Sequence, residues 1–159
     1  MIDNEGYRAN VAIVLVNNQG KVFWGKRIRQ ISWQFPQGGL NAGETPIEAM
    51  YRELKEEIGL NPSDVEVLAV TRTWYRYRLP RHLMRRKFPL CIGQKQKWFL
   101  LKLKAEDSAI NFTSTSKPEF DHWKWVDFWL PTHKVIFFKR QVYRKAMQKF
   151  FPIIKDWRS

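Results

Sequence analysis

Three glutamates, Glu53, Glu56 and Glu57, stand close together in the segment GETPIEAMYRELKEEIG, residues 43–59. On a helix, like charges three or four residues apart repel, so a folded chain that keeps them together needs something that offsets the repulsion. A divalent cation would do so, because carboxylates are the hard oxygen ligands that Mg²⁺ and Mn²⁺ select. The alternative is a solvated acidic face, but the rest of the chain is strongly basic. The cluster therefore predicts a divalent-metal site.

The same segment carries independent signals of the helix that would position these acids. Thr45 has the residue type of an N-cap, Pro46 stands at the first helical position, and Glu48 completes a capping box. Gly59 stands where a C-cap glycine belongs. At about 100° per residue, five apolar side chains form one stripe and the acids fall in a second sector. The predicted core face consists of Ile47, Met50, Tyr51, Leu54 and Ile58.

Two neighbouring features extend the acidic cluster. Arg52 lies between the acidic sector and Glu48, within i,i+4 reach of both Glu48 and Glu56. The chain before the helix is predicted to bend at Gly38 and Gly39 and to bring exposed backbone carbonyls to the start of the helix. Carbonyl oxygens are metal ligands of the same hard type as carboxylates.

The remaining chain predicts a mixed sheet between helices. Strands are expected over 8–17, 21–27, 33–39, 65–77, 97–104 and 122–128, with a closing amphipathic helix over 135–151. This order of strands, one central helix, more strands and one terminal helix favours an α/β sandwich. The chain of 159 residues, without an internal repeat or a linker, has the length of one domain.

Composition limits the partners and the compartment. The net charge of +13 favours polyanions such as nucleic acid, polyphosphate or an anionic membrane, and eight Trp add rings that could stack on unpaired bases. The longest apolar run, residues 11–16, is too short to span a bilayer, and the first ten residues lack the cationic region of a secretory signal. Cys91, the single cysteine, excludes an internal disulfide. A reducing cytoplasm is therefore the expected location.

The spacing of the acidic segment resembles the signature of a known family. Residues 38–60 fill every fixed position of the Nudix box, G-x5-E-x7-R-E-U-x-E-E-x-G-U, from Gly38 through Glu44 to the run RELKEEIGL. The resemblance implies an α/β/α sandwich with a mixed sheet, a central box helix and a C-terminal helix, in a single domain of residues 1–159. It also implies a hydrolase of nucleoside diphosphates linked to another group, which uses divalent metals, two or more Mg²⁺ or Mn²⁺ ions.

The Nudix resemblance further implies roles for individual residues. Glu53 would be both a metal ligand and the base that activates water, and Arg52 would orient the glutamates by ion pairing. The cations would neutralise and position the phosphates and lower the pKa of bound water. Glu119 could add a carboxylate from a distant loop, although it could equally be an ordinary surface acid. The full set of expected metal ligands is Gln37, through its carbonyl, Glu53, Glu56, Glu57 and Glu119.

The similarity extends beyond the box to the bacterial RNA 5′-pyrophosphohydrolases, a branch of the Nudix hydrolases. The segments that carry it are MIDNEGYRANV, SWQFPQGG, EAMYREL, CIGQKQKWFLL, PEFDHWKWV and FKRQVYR. This resemblance implies removal of pyrophosphate from the 5′-triphosphate end of messenger RNA, which leaves a monophosphate that decay nucleases accept. The implied RNA contacts are Arg8 and Arg27 at the phosphates, Ser32, Tyr77 and Gln94 along the path, and Phe138 and Lys139 at a base.

The partner that the resemblance implies is 5′-triphosphorylated single-stranded RNA, without DNA or membrane binding, and it names no protein activator. Residues 71–87 interleave aromatic rings with arginines, as a single-strand groove would require. Simple strand alternation, with rings inward and charges outward, explains the same pattern, and Arg27 and Lys139 could be ordinary surface charges. Two other functions stay open, a dinucleoside polyphosphate hydrolase and a non-catalytic RNA-binding Nudix module, although the complete box argues against the second.

Overall fold

A computed structural model describes residues 1–87 and 89–157 and places a mixed β-sheet between two helical layers. The strands are β1 Tyr7–Val16, β2 Val22–Arg27, β3 Trp33–Gln34, β4 Gln37–Gly39, β5 Val65–Val70, β6 Tyr75–Arg78, β7 Gly93–Leu103 and β8 Phe120–Val126. The helices are α1 Pro46–Ile58, α2 Leu130–Lys134 and α3 Arg140–Ile154. This arrangement confirms the α/β sandwich with a mixed sheet, a central helix and a C-terminal helix.

The centre of the sheet is β1, which pairs in parallel with β7 along its whole length and antiparallel with β2 and β4. The main path of the sheet runs β3-β2-β1-β7-β5, while β4 pairs with β1, β6 with β7 and β8 with β2. Because β1 is covered on both faces, it is a continuous apolar run rather than an alternating strand.

Neighbouring residues of β7 belong to the two separate cores of the sandwich, because successive side chains of a strand point to opposite faces. Trp98 packs with Tyr143 of α3 in one core, and Phe99 packs with Leu54 of α1 in the other. The sheet therefore holds the acidic helix on one face and the C-terminal helix on the other. None of the described helices has the length and apolar character needed to cross a membrane.

Helix α1 begins and ends as the sequence predicts. The Thr45 hydroxyl accepts from the Glu48 amide, the Glu48 carboxylate accepts from the Thr45 amide, and Gly59 takes a left-handed conformation with φ of 77°. A cap of this type is worth about 1 kcal/mol. The core face is rotated from the predicted one, because the buried stripe includes Glu53 while Ile47 is exposed. The rotation brings one of the acids into the interior.

Several other boundaries differ from the sequence-based expectation. Strand β8 is shifted by two residues from the predicted 122–128, and the predicted strand 33–39 is divided into β3 and β4. The predicted strand 65–77 is divided into β5 and β6, because Thr71 leaves the regular ladder and bonds to Trp98 through both its backbone amide and its side-chain hydroxyl. Strand β7 begins at Gly93 rather than at residue 97. The closing helix begins at Arg140 rather than at residue 135, since a 3₁₀ turn, Phe137–Lys139, precedes it. That turn holds two of the predicted RNA contacts.

Candidate active site

Arg52 is the hydrogen-bonding centre of the acidic cluster. Its Nε and Nη2 donate to the two carboxylate oxygens of Glu44 at 2.8 and 2.9 Å, and its Nη1 donates to Glu53 Oε1 at 2.6 Å. It also reaches the Gly39 carbonyl at 2.7 Å and Glu56 at 3.4 Å. Of the two acids within i,i+4 reach, Arg52 bonds to Glu56, whereas the Glu48 carboxylate is held by Thr45 in the capping box. Arg52 therefore fixes one oxygen of Glu53, as an orienting residue would.

Glu53 rests directly on the backbone of Gly38. A Cβ added at Gly38 would lie 2.0 Å from the carboxyl carbon of Glu53, so only glycine leaves room for this side chain. The two glycines do not form the predicted open bend, since they lie in β4 and pair with β1, and the Gly39 carbonyl already accepts from Arg52. This packing leaves Glu53 only 6% exposed.

Glu53 and Glu57 form a coupled pair of acids in a poorly solvated place. Burial raises the pKa of Glu53, against the opposing effect of the Arg52 hydrogen bond. Burial also raises the pKa of Glu57, and the carboxylates of Glu119 and Glu53 raise it further. Buried carboxylates this close together do not both ionise without a compensating cation. The arrangement is therefore one that a bound cation would relieve.

The donor chemistry of these acids fits Mg²⁺ or Mn²⁺. Among the described residues, Glu57 Oε2 is a buried side-chain oxygen without a hydrogen-bond partner, and such an atom is a free ligand site. Within residues 1–87 and 89–157, no three acidic, histidine or cysteine side chains are already arranged around one point. Glu53 is bonded to Arg52, and Glu56 is exposed. The residues that could hold cations are Glu53, Glu56, Glu57 and Glu119.

An ion pair joins the acids to the predicted RNA contacts. Arg27 Nε donates to Glu119 Oε1 at 3.0 Å, so a predicted phosphate contact and a predicted metal ligand are each other's partners. The backbone supports this contact, because the Ile28 amide donates to the Glu119 carbonyl and the Arg27 amide donates to the Ser32 carbonyl. Glu119 is therefore not an isolated surface acid, because Arg27 lies beside it, and Ser32 is bonded in turn to the backbone of Arg27.

Lys139 is buried, with 7% exposure, and is not an ordinary surface charge. Its Nζ donates to Gln34 Oε1 at 3.2 Å and to Gln37 Oε1 at 3.4 Å. Burial lowers the pKa of Lys139 to about 8, and the positive charge of Arg27 contributes in the same direction. Through Gln37, this ammonium stands next to the strand that carries Gly38. Lys139, the predicted base contact, therefore lies beside the strand that packs against the acidic helix.

The aromatic part of the site lies around Tyr77. The rings of Tyr77 and Phe138 are 5.9 Å apart between centroids, and Lys139 Nζ lies 6.0 Å from the Tyr77 centroid. The Tyr77 hydroxyl donates to Gln94 at 2.9 Å, and Gln94 faces the exposed Arg8 across the β1–β7 register. The structure brings together Gln37, Tyr77, Gln94, Phe138 and Lys139, while Arg8 lies at the rim.

Sequence reasoning missed a buried polar network beneath this site. Gln96 donates to Asn10 at 2.9 Å and to Gln37 at 3.4 Å, and accepts from the Trp98 indole at 3.1 Å. Gln96 and Lys139 both donate to the side-chain carbonyl of Gln37, and the position of Gln96 is set by the sheet. The available signal was a polar residue at an inward position of an apolar strand, as Asn10 and Gln96 are.

The basic aromatic segment follows strand alternation. Tyr75 and Tyr77 of β6 are buried, while Arg76 and Arg78 are exposed. The expectation of rings inward and charges outward is therefore confirmed for this strand. Trp74, just before β6, is half-buried and packs under two ammonium groups of β7. The exposed arginines give this side of the sheet a positive surface.

The Glu44–Arg52 ion pair predicts a pH-dependent contribution to stability. The hydrogen bonds from Arg52 lower the pKa of Glu44 from 4.5 to about 2. A depressed carboxyl pKa adds stability above pH 4.5 that disappears as the pH falls towards 2. We expect Glu44→Gln to lower the free energy of unfolding at pH 7 and to approach the wild-type value below pH 3. Urea unfolding at several pH values measures this, with Glu66→Gln on the exposed side of β5 as control. A difference independent of pH would contradict the ion-pair explanation.

Comparison with known proteins agrees with the fold and the acidic segment. The NUDIX domain model matches residues 6–150, and the chain belongs to the Nudix family. Proteins named RNA pyrophosphohydrolase from Francisella tularensis subsp. mediasiatica and Francisella philomiragia subsp. philomiragia are 62% and 59% identical over 150 residues. Each match covers 94% of this chain and 97% of the relative. Nudix hydrolases need divalent metal ions, generally Mg²⁺.

The fold also occurs among solved structures. The E. coli dihydroneopterin triphosphate pyrophosphohydrolase superposes with a TM-score of 0.71 at 23% identity, over 90% of this chain and 98% of that chain. At that identity the likeness concerns the fold alone. The Nudix resemblance read from the sequence is thus confirmed, and the roles of individual side chains remain predictions.

Proposed function

We propose that this chain is an RNA 5′-pyrophosphohydrolase, an enzyme that uses water to remove pyrophosphate from the 5′-triphosphate end of RNA and leaves a 5′ monophosphate. The observation that carries the proposal is the connection of the buried acids to the Lys139–Phe138–Tyr77 cluster through Arg27 and Glu119. The acids would hold metal ions at a phosphate chain, the neighbouring cations would bind its phosphates, and the aromatic ring would stack on the attached base. Relatives at 62% identity carry the name of this activity.

The acids would hold the cations of the reaction. The proposed ligands are Glu53, Glu56, Glu57 and Glu119 with the carbonyl of Gln37, for two or more Mg²⁺ or Mn²⁺ ions. When bound, such ions neutralise phosphate charge and lower the pKa of water. Glu53 accepts the proton of the attacking water, and Arg52 holds its carboxylate in a fixed orientation. Residues 1–159 form the catalytic domain in this proposal.

The RNA end would occupy the other half of the site. Arg27 and Arg8 bind the 5′ phosphates, the Phe138 ring stacks on a base, and Lys139 contacts the edge of that base. Tyr77 limits the pocket next to Phe138. Because single strands leave their bases free to stack, this arrangement favours single-stranded RNA over a duplex.

Substrate competition tests this proposal. Triphosphorylated RNA of several nucleotides and diadenosine polyphosphates would be offered together with Mg²⁺, and the products of each would be separated and measured. We expect the RNA to be consumed preferentially and to yield a 5′ monophosphate. If the RNA were hydrolysed no better than a mononucleoside triphosphate, the RNA assignment would be wrong, and a dinucleoside polyphosphate hydrolase would be supported by preferential loss of the diadenosine compound.

Substitution of Arg8 should separate phosphate recognition from general RNA affinity. We expect Arg8→Ala to lower kcat/KM on triphosphorylated RNA about tenfold, the loss expected for one charge-assisted phosphate contact. Binding of 5′-hydroxyl RNA of the same sequence should change less than about twofold, because that RNA lacks the phosphates that Arg8 would contact. Arg144→Ala, on the exposed side of α3, is the matched control. An equal loss in both measurements would make Arg8 merely part of the basic surface.

A further inference from the structure

A second concave surface lies beside the candidate RNA site. It encloses a volume of about 490 Å³, roughly that of a site for one small ligand. Its lining includes no acidic side chain among the described residues. We name this surface the lysine groove, and the residues that define it here are Ile31, Ser32, Trp33, Lys124, Lys134 and Ile136.

The walls of the lysine groove continue those of the candidate RNA site. The Ser32 carbonyl accepts a hydrogen bond from the backbone amide of Arg27, and the Ile136 carbonyl accepts one from the backbone amide of Lys139 at 3.0 Å. Trp33 precedes Gln34, whose side chain accepts from Lys139 Nζ at 3.2 Å. Ser32, Trp33 and Ile136 of the groove are therefore bonded to, or next in sequence to, residues of the candidate RNA site. The groove and the candidate RNA site are neighbouring surfaces of the fold.

The chemistry of the groove fits unpaired nucleotides. Lys124 Nζ lies 4.7 Å from the centroid of the Trp33 ring, and both Lys124 and Lys134 are exposed. Ile31 is 94% exposed and Ile136 is 44% exposed, although apolar side chains gain from burial. A ring with apolar neighbours stacks on bases, and two ammonium groups attract phosphates. Because Lys124 has a flexible stem, its ammonium can move from the ring to a phosphate and leave the ring face to a base.

We propose that the lysine groove binds the nucleotides of the RNA that follow those at Phe138 and Lys139. Their bases pack on Trp33 and the two isoleucines, and their phosphates pair with Lys124 and Lys134. The inference rests on the proposed function, because it takes the RNA end to be at Lys139. It makes a specific claim about length, since a dinucleotide ends before the groove and a hexanucleotide passes through it.

The test compares a triphosphorylated dinucleotide with a triphosphorylated hexanucleotide. We expect the wild-type protein to show a higher kcat/KM on the hexanucleotide. Lys124→Glu with Lys134→Glu should lower kcat/KM on the hexanucleotide by about 10- to 30-fold and change the dinucleotide value by less than about twofold. The salt dependence of hexanucleotide binding should also become weaker. The slope of log affinity against log salt concentration should be shallower by about 1.4, because two phosphate contacts are lost.

The matched control is Lys104→Glu with Lys149→Glu, which changes the same charge at two other exposed positions. Lys104 follows the end of β7, and Lys149 is about 15 Å along α3 from Lys139. The control variant should keep most of the difference in kcat/KM between the hexanucleotide and the dinucleotide. Trp33→Phe should retain most of the wild-type kcat/KM on the hexanucleotide, because it keeps an aromatic ring for stacking. Trp33→Ala should lower that kcat/KM about tenfold. The lysine pair tests the groove even if Trp33→Ala impairs folding.

Four results would overturn the groove assignment. Equal losses on the dinucleotide and the hexanucleotide, or equal losses in the control pair, would reduce the lysines to a general electrostatic effect. A wild-type protein that hydrolyses both RNAs equally well would exclude the groove while leaving the proposed function intact. A wild-type protein that hydrolyses neither RNA would exclude both the groove and the proposed function.

Discussion

Glu53→Gln is expected to lower kcat on triphosphorylated RNA by about 10²- to 10⁴-fold, the range of a lost catalytic base. Glutamine has nearly the same shape, so it keeps the packing against Gly38 and removes only the basic, negatively charged oxygen. RNA binding should survive, because none of the predicted RNA contacts lies on α1, the helix that carries Glu53. The melting temperature should change by only a few degrees, since the substitution removes a charge from a buried acid pair.

Single-turnover hydrolysis with saturating Mg²⁺ measures the chemical step, and fluorescence anisotropy with the same RNA measures binding. Glu66→Gln, an exposed acid of β5, is the matched control and should leave both unchanged. Hydrolysis by Glu53→Gln within tenfold of the wild-type rate would remove Glu53 from the role of base. If the wild-type protein binds RNA and does not hydrolyse it, the non-catalytic RNA-binding module becomes the supported alternative.

Arg52→Lys is expected to have the largest combined effect on stability and turnover. The guanidinium makes short hydrogen bonds to Glu44, Glu53 and Gly39, and an ammonium cannot reproduce that planar geometry. We expect a loss of about 2–4 kcal/mol in the free energy of unfolding, because charged or buried partners are left unsatisfied. For a chain of this size the melting temperature falls by roughly 5–15 °C. We also expect kcat to fall about 100-fold, since Glu53 loses the contact that orients it.

Thermal unfolding and steady-state kinetics at saturating Mg²⁺ measure the two effects together. KM should change much less than kcat, because Arg52 acts on Glu53 rather than on RNA. Arg144→Lys, on the exposed side of α3, is the matched control. It makes the same substitution at an exposed position, and it should leave both the melting temperature and kcat unchanged. Unchanged melting and turnover in Arg52→Lys would show that any cation suffices at this position and that the hydrogen-bond geometry is unimportant.

Local sequence signals predicted the acidic helix well. The capping box at Thr45 and the left-handed Gly59 each depend on contacts within a few residues, so the sequence alone defines them. The rotation of α1 about its axis could not be predicted in the same way. It depends on the space above Gly38, which the pairing of β4 with β1 creates, and this pairing joins residues far apart in the chain.

The candidate site shows the same division. The glutamates and Arg52 follow from spacing on one helix, whereas the contact between Arg27 and Glu119 joins positions 92 residues apart. The network of Asn10, Gln37 and Gln96 brings together β1, β4 and β7. A polar residue inside an apolar strand signals a buried partner, but it does not identify that partner. The sequence therefore predicted which residue types matter, and the sheet determines which of them meet.

The close contact at Gly38 sets a practical limit on redesign of this protein. Even the smallest added side chain, a methyl group, would lie in the volume of the Glu53 carboxylate, so random mutagenesis at position 38 would mostly sample inactive variants. Attempts to broaden or narrow the range of accepted transcripts have more freedom at solvent-facing positions such as Ile31 and Ile136. A screening library built at those positions would spare the catalytic half of the molecule.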